Sequence, residues 1–221
     1  MSENSNIISV KTAFEVVDVD GNVYNVVTIG SQQWMVENLK TTKYADGTPI
    51  PNLTLDADWI AEDGTPGHDG AYCWYNNDIA NKTPYGALYN WYAVNNAHGL
   101  SPTGWRVPTK TDWETLIVNA GGTAIAGEKL REVGPTHWNA INTGTDDYGF
   151  KLVASGERYF VDGTFYSKGD GTVDAAVFAW ASTLLNAQYA YELYVDGRYA
   201  WATVPWDFKW QGNNVRCMRD I

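Results

Sequence analysis

Three histidines (His68, His98 and His137) and two cysteines (Cys73 and Cys217) are the side chains best suited to metal or nucleophilic chemistry. Zinc sites and metalloprotease helices set their ligands at short fixed spacings, and here no HExxH, CxxC or i, i+4 histidine pair occurs. There is no GxSxG elbow and no phosphate-cradling glycine loop. The histidines read as surface or loop residues. Spacing leaves open whether the two distant cysteines form one disulfide or stay as buried thiols. Carboxylates are plentiful, but a glycosidase pair is defined by a separation that sequence does not show. KGDGTVD places Asp170 and Asp174 in an oxygen-rich loop of the sort that holds hard cations, yet it lacks the EF-hand spacing and a closing Glu. It reads as a plain turn. No catalytic set, metal or cofactor is expected, so the chain reads as non-enzymatic.

The unusual chemistry is aromatic. The 221 residues hold 11 Trp, 14 Tyr and 6 Phe, and ten of these rings lie between Phe178 and Trp210. AYELYVDGRYAWATV reads as a hairpin about Asp196-Gly197. With a two-residue turn, Tyr194 faces Tyr199 and Glu192 faces Trp201. Alternation then puts Tyr189, Tyr191, Leu193, Val195, Ala200, Ala202 and Val204 on one face. Its aliphatic residues suit a core, and its alanines leave room for a helix. The other face carries Glu192, Tyr194, Tyr199, Trp201 and Thr203 outward. PWDFKWQ follows, with Trp206, Phe208 and Trp210 alternating around Asp207 and Lys209. Rigid rings beside hydrogen-bonding groups are the usual material of a binding surface. The competing reading is cross-strand packing in a second core layer.

The elements that must position this face follow from local signals. Residues 1–12 are polar and read as a tail, leaving 13–221 as one domain. FEVVDVDGNVYNVVTIG reads as a hairpin about Asp20-Gly21, followed by a strand in QQWMVENL. Residues 45–70 are rich in Gly, Pro and Asp and read as a long loop. AYCWYNND reads as a short strand. A helix is expected over 85–97, and a clearer one over 109–120, where Thr109 with Asp112 or Thr111 with Glu114 forms a capping-box pattern and Trp113, Leu116 and Ile117 form one stripe. GEKLREVG suggests a short third helix. GERYFVDGTFYSKG reads as a hairpin about Asp162-Gly163 pairing Phe160 with Phe165 and Tyr159 with Tyr166, and NNVRCMRDI as the last strand. Strands, helices, then strands indicate an α+β domain.

The formal net charge of -11 argues against nucleic acid as a partner, since phosphate binding needs a basic footprint. No stretch approaches the roughly 20 apolar residues of a membrane span. The start, MSENSNIISV, lacks a basic segment followed by an apolar run, so no signal peptide is visible.

In order and spacing, DVDGNVYNVVTIGSQQWMVENLKTTKYADGTPIP, YCWYNND, YGALYNWYAVN, PTGWRVPTKTDWETL, GEKLREVGPTHWN and NNVRCMRDI resemble the Fibrobacter succinogenes major paralogous domain, over about residues 16–220. That family is similar to C-type-lectin-like folds of the formylglycine-generating-enzyme type, which share GWRVPT followed by DWE. The resemblance implies a twisted antiparallel sheet, two main helices over 85–97 and 109–120, and long irregular loops. The enzyme branch needs a close cysteine pair near its C-terminal end, where this chain has only Cys217. The related iron-dependent sulfoxide synthases need a histidine cluster that is also missing. The stretch from Phe178 to Asp220, with its closing VRC, resembles the variable segment of the diversity-generating-retroelement proteins. That resemblance implies a receptor-binding protein of a virion or cell surface, with a protein or glycan ligand met by Asn186, Gln188, Glu192, Tyr194, Tyr199, Trp201, Thr203, Trp206, Phe208 and Trp210. Adenine-directed mutagenesis of an asparagine codon does not yield Trp, so Trp201, Trp206 and Trp210 read as fixed framework or as residues of another codon origin. The alternatives are a relic of the enzyme branch, or a structural subunit using the aromatic face to form oligomers.

Overall fold

Asp18 closes the first turn: its backbone N–H reaches the Asn22 carbonyl and its carboxylate accepts from the N–H groups of Asp20 and Asn22. The computed structural model describes residues 15–62, 65, 70–139, 141–169 and 174–221. The expected tail, residues 1–12, lies outside them. Strands β1 (Glu15–Val17) and β2 (Val23–Ile29) pair around this turn, β3 (Gln32–Met35) follows, and β12 (Met218–Asp220) closes a four-stranded sheet in the order β1-β2-β3-β12.

The loop expected over 45–70 contains a short helix, α1 (Asp56–Ala61), which buries Trp59. After β4 (Tyr72–Cys73) comes α2 (Lys82–Tyr85), then β5 (Leu88–Tyr89), which pairs with β4, then α3 (Trp91–Val94). The single helix expected over 85–97 is therefore absent. Gly86 takes φ 78°, and a Cβ there would lie 2.6 Å from Cβ of Asn38. The chain turns at this point and Tyr89 is drawn into a strand. Asn90 then caps α3, its side chain accepting from the N–H of Ala93.

The helix read over 109–120 is α4 (Lys110–Asn119). Thr109 caps it, and the reciprocal Thr109–Asp112 capping box is present. Its stripe of Trp113, Leu116 and Ile117 is buried. Next come α5 (Ala126–Leu130) and strands β6 (Ser155–Arg158), β7 (Phe165–Lys168), β8 (Ala176–Leu184), β9 (Tyr189–Asp196), β10 (Ala202–Thr203) and β11 (Trp206–Phe208). They form a six-stranded sheet in the order β10-β9-β8-β6-β7, with β11 also on β9.

This overturns the expected lectin-like architecture. Five α-helices occur among the described residues instead of two main ones, and only α4 exceeds six residues. The strands fall into separate sheets, and β6 meets β8 in parallel, Gly156 beside Val177. The α+β class holds.

Both C-terminal hairpins form, but with longer loops than expected. Arg158 faces Phe165 and Glu157 faces Tyr166, while Val195 faces Ala202 and Tyr194 faces Thr203. The slips are two and four positions. Even slips leave each side chain on its expected face. Leu193, Val195 and Ala202 accordingly join α4, Trp34, Trp138 and Phe150 in the larger core.

The segment Gly212–Met218 stitches the sheets together. Gly212 bridges Arg158, Asn213 bridges Tyr89, Asn214 bridges Ala179, and Met218 bridges Arg106. Such pairings between residues far apart in sequence leave no local pattern.

Candidate functional site

The aromatic residues of the C-terminal sheet separate into two groups. β9 spans seven residue steps, about 23 Å at the usual strand rise. At its start, Tyr189 packs on Trp206 (4.5 Å between centroids) and Phe208 (4.6 Å), and Phe208 continues onto Phe160 (4.3 Å) and Trp210 (5.3 Å). At its far end, Tyr194 meets Phe178 and Trp201, and Tyr199 stacks on Trp201 at 5.3 Å and 15°. None of Tyr194, Tyr199 and Trp201 is fully buried; Tyr199 is 47% exposed, and in the first group Trp206 is 52% exposed.

The second group stands on a braced loop. Arg131 is fully buried against Trp138, and its Nη1 donates to the carbonyls of Asp196 (2.6 Å) and Tyr199 (2.9 Å). The N–H of Glu128 donates to the Ala200 carbonyl, and that of Ala202 to the Thr123 carbonyl. Arg198 chelates Asp196 and reaches Asp174 with Nη1 at 2.9 Å. Two side chains of this loop can therefore be displayed while its backbone stays fixed.

A cleft of about 400 Å³ opens beside this end of β9, lined by Glu157, Tyr159, Tyr166, Ser167, Asp174, Tyr194 and Arg198. Tyr159 and Tyr166 meet edge to face at 5.8 Å. Gly156 lets β6 come this close: it has φ 66°, and a Cβ would lie 2.2 Å from the Tyr166 carbonyl oxygen. Sequence reading missed Glu157 and Arg198 as site residues, and took Tyr159 and Tyr166 only as a cross-strand pair. Their approach to Tyr194 depends on the parallel β6–β8 contact, which has no local signal.

Behind the cleft lies a carboxyl group of three. Glu192 is only 3% exposed and receives the Asn213 Nδ2 donor at 2.6 Å. The expectation that it is displayed is corrected here. Its face of β9 is covered midway by the returning segment that carries Asn213, so only the end near Tyr194 stays open. Burial pushes Glu192 well above the usual carboxylate range, and the charges of Asp207 and Glu157 add to this. Glu157 is pushed up to about 7 by burial and by Asp207, against the amide donor of Gln211. Asp207 rises to about 6 through burial, opposed by the Phe208 N–H and Asn213. The cleft thus combines ring faces with a carboxyl that both accepts and donates hydrogen bonds near neutral pH.

The remaining expected positions lie elsewhere. Asn186 and Gln188 are exposed at the β8–β9 turn, where the Asn186 side chain accepts from the N–H groups of Gln188 and Tyr189. Trp206, Phe208 and Trp210 belong to the group beside Tyr189. Thr203 is partly buried opposite Tyr194. Asp170 and His68 lie outside the described residues. Asp174 pairs with Arg198, His98 with Asp46, and His137 with Glu132. Among the described residues no group of three or more His, Cys, Asp or Glu side chains is arranged to hold a metal. Cys73 and Cys217 are free and buried, which pushes both thiols up to about 12. No helix among the described residues is long and apolar enough to cross a membrane.

An α+β domain with a tyrosine-walled, carboxyl-floored cleft on its C-terminal sheet is the class these features define. The chain belongs to the Fibrobacter succinogenes major domain family, whose model matches residues 27–219. No curated protein and no solved structure matches it.

Proposed function

We propose that this chain is a non-enzymatic ligand-binding domain that takes a glycan in the Glu157–Tyr194 cleft and against the adjoining Tyr199–Trp201 pair. The observation that carries the reading is the convergence of three tyrosine rings, Tyr159, Tyr166 and Tyr194, on one cleft with Glu157, Ser167 and Arg198 among them. Ring faces suit the C–H faces of a sugar, and the polar groups suit its hydroxyls. The net charge of -11 disfavours polyanionic glycans and favours neutral ones.

The finer reading makes this surface the variable face of a diversity-generating-retroelement protein that binds a receptor on a target surface. It is supported by the mounting of the side chains. Gln188 and Tyr199 are exposed on turns whose backbone is held by other residues. Those side chains can change without moving the frame.

A neutral-glycan array read with the intact protein, and repeated with Tyr166→Ala and with Tyr199→Ala plus Trp201→Ala, tests the binding reading. Glycan capture lost in both variants, with unfolding midpoints unchanged, is the expected result. Capture that is absent, or retained in both, overturns it. For the finer reading, a reverse-transcriptase gene and a near-identical template repeat are expected beside the coding sequence, and absence of the repeat overturns it.

A further inference from the structure

Three arginines are almost wholly inaccessible: Arg131, Arg158 and Arg216. A buried guanidinium without a counter-ion carries a large desolvation cost, so each should have its charge answered. Arg158 pairs with Asp56 at 2.8 Å and lies against the Trp59 and Phe165 rings. Arg131 has no carboxylate partner among the described residues; both its Nη groups donate, to two loop carbonyls and to the Thr143 hydroxyl. Its Nε is sealed in the interior with no hydrogen bond among the described residues, and Arg131 lines neither the tyrosine-walled cleft nor the cavity beside Arg216.

Arg216 differs. Its Nε donates to Asn38 Oδ1 at 3.0 Å and its Nη1 to the Phe150 carbonyl, with the guanidinium 4.6 Å from the Phe150 ring centroid. Its Nη2 makes no hydrogen bond among the described residues. Burial pulls this guanidinium down to about 9, opposed by the charges of Glu37 and Asp146, neither of which forms an ion pair with it among the described residues.

Arg216 also lines a cavity of about 400 Å³ on the side of the molecule formed by Val36–Asn38, Thr83–Pro84 and Lys151–Val153. The walls are mixed. Val36, Pro84 and Val153 are apolar, and Lys151 is an exposed second cation whose ammonium makes no ion pair among the described residues. Two carboxylates line the same cavity, and both are engaged. Glu37 accepts from the backbone and side-chain amides of Asn25 at 2.8 and 2.7 Å. Glu132 accepts from the N–H of His137 at 2.9 Å and faces its Nδ1. Both carboxylates thus have their donors, whereas Arg216 Nη2 and the Lys151 ammonium make no hydrogen bond among the described residues.

We infer that this cavity is a binding site for a small organic carboxylate, with the carboxylate on Arg216 Nη2, Lys151 at its outer edge, and the apolar body against Val36, Pro84 and Val153. A guanidinium edge matches a planar carboxylate better than any other protein cation does. The apolar walls favour an acid with a compact hydrocarbon body over a bare inorganic anion. The site is separate from the tyrosine-walled cleft and shares no lining residue with it.

Benzoate is a suitable probe, with benzamide as its neutral isostere and inorganic phosphate as the anion without a body. Titration calorimetry and proton–nitrogen NMR on the full chain at pH 7 should give saturable one-to-one binding of benzoate. A dissociation constant of about 0.1–1 mM is reasonable for so few heavy atoms. Binding should be at least tenfold weaker for benzamide and for phosphate. Arg216→Lys is open to misfolding, so the variants that decide are two exposed ones. Lys151→Ala should weaken benzoate about three- to tenfold, and Thr83→Phe, which fills the mouth, should abolish it. No saturable benzoate binding, equal binding of benzamide, or full binding to Thr83→Phe overturns the inference.

Discussion

Arg131 Nη1 donates to the Tyr199 carbonyl at 2.9 Å from beneath the loop that carries Tyr199 and Trp201. The same nitrogen holds the Asp196 carbonyl at 2.6 Å, so one buried cation fixes both ends of the turn between β9 and the Trp201 segment. Charged donors of this kind contribute about 1.5–3 kcal/mol each. Arg131→Met should therefore cost about 3–5 kcal/mol in urea unfolding and should loosen the Tyr199–Trp201 stack, seen as a change in tryptophan emission under native conditions. A loss below about 1 kcal/mol would show that the loop holds itself.

Gly127 tests the same brace from the other side. It lies in α5, where alanine is normally the better helix former by about 1 kcal/mol. Here an added Cβ would lie 2.2 Å from the Trp201 carbonyl oxygen and 2.9 Å from that of Ala200. Both atoms are backbone and cannot rotate away, so the clash should outweigh the propensity gain. Gly127→Ala is expected to lower stability by about 1–3 kcal/mol and to weaken the glycan capture proposed for the loop. A stabilised variant would mean that α5 moves freely against it.

The parts of this fold legible in the sequence are those fixed within a dozen residues. The capping box at Thr109 and Asp112, the stripe of Trp113, Leu116 and Ile117, and the turn at Asp20-Gly21 are all local chemistry. Hairpin registers were less legible, because Asp162 and Asp196 serve their loops as hydrogen-bond acceptors, for the N–H groups of Thr164 and Arg198. The broken helix at Gly86 was hidden because apolar and aromatic residues at helical spacing also suit two short buried elements. The candidate site was half legible. Its rings on β9 and the following loop could be read from alternation. Glu157, Arg198 and the burial of Glu192 could not, since they depend on the parallel β6–β8 contact and on the returning strand that carries Asn213.

The cysteines give a prediction about accessibility. Both thiols are buried, and that burial pushes each up to about 12, so little thiolate forms at pH 8. In the native protein a disulfide dye such as Ellman's reagent should react far more slowly than with a free thiol, and two equivalents should react after unfolding in guanidinium. Rapid reaction of one equivalent in the native state would place Cys73 or Cys217 outside the core.

The carboxyl group behind the cleft makes stability depend on pH in an uncommon direction. Glu157 is pushed up to about 7 from 4.5, and Asp207 to about 6 from 3.8. Both bind a proton more tightly when folded than when unfolded, so their contribution is complete below the unfolded values and is lost as pH rises through the folded ones. Between about pH 4 and pH 7 the pair should therefore lower stability as the solution becomes less acidic. Partial solvent access reduces the size of this effect to about 2 kcal/mol for Glu157. Glu157→Gln removes that charge while keeping the shape. Its stability relative to the parent should rise across this window, reaching a gain of about 1–2 kcal/mol at pH 8, and Asp207→Asn should do the same from a lower pH. Other carboxylates shift the parent curve, notably Asp112 and Asp196, which are held below the usual range despite burial, by hydrogen bonds and charge from Arg106 and Arg198. The informative quantity is thus the difference between variant and parent in urea midpoints at each pH. A difference that stays flat from pH 4 to pH 8 would mean that Glu157 is ionised and solvated, and that the floor of the cleft is open to water.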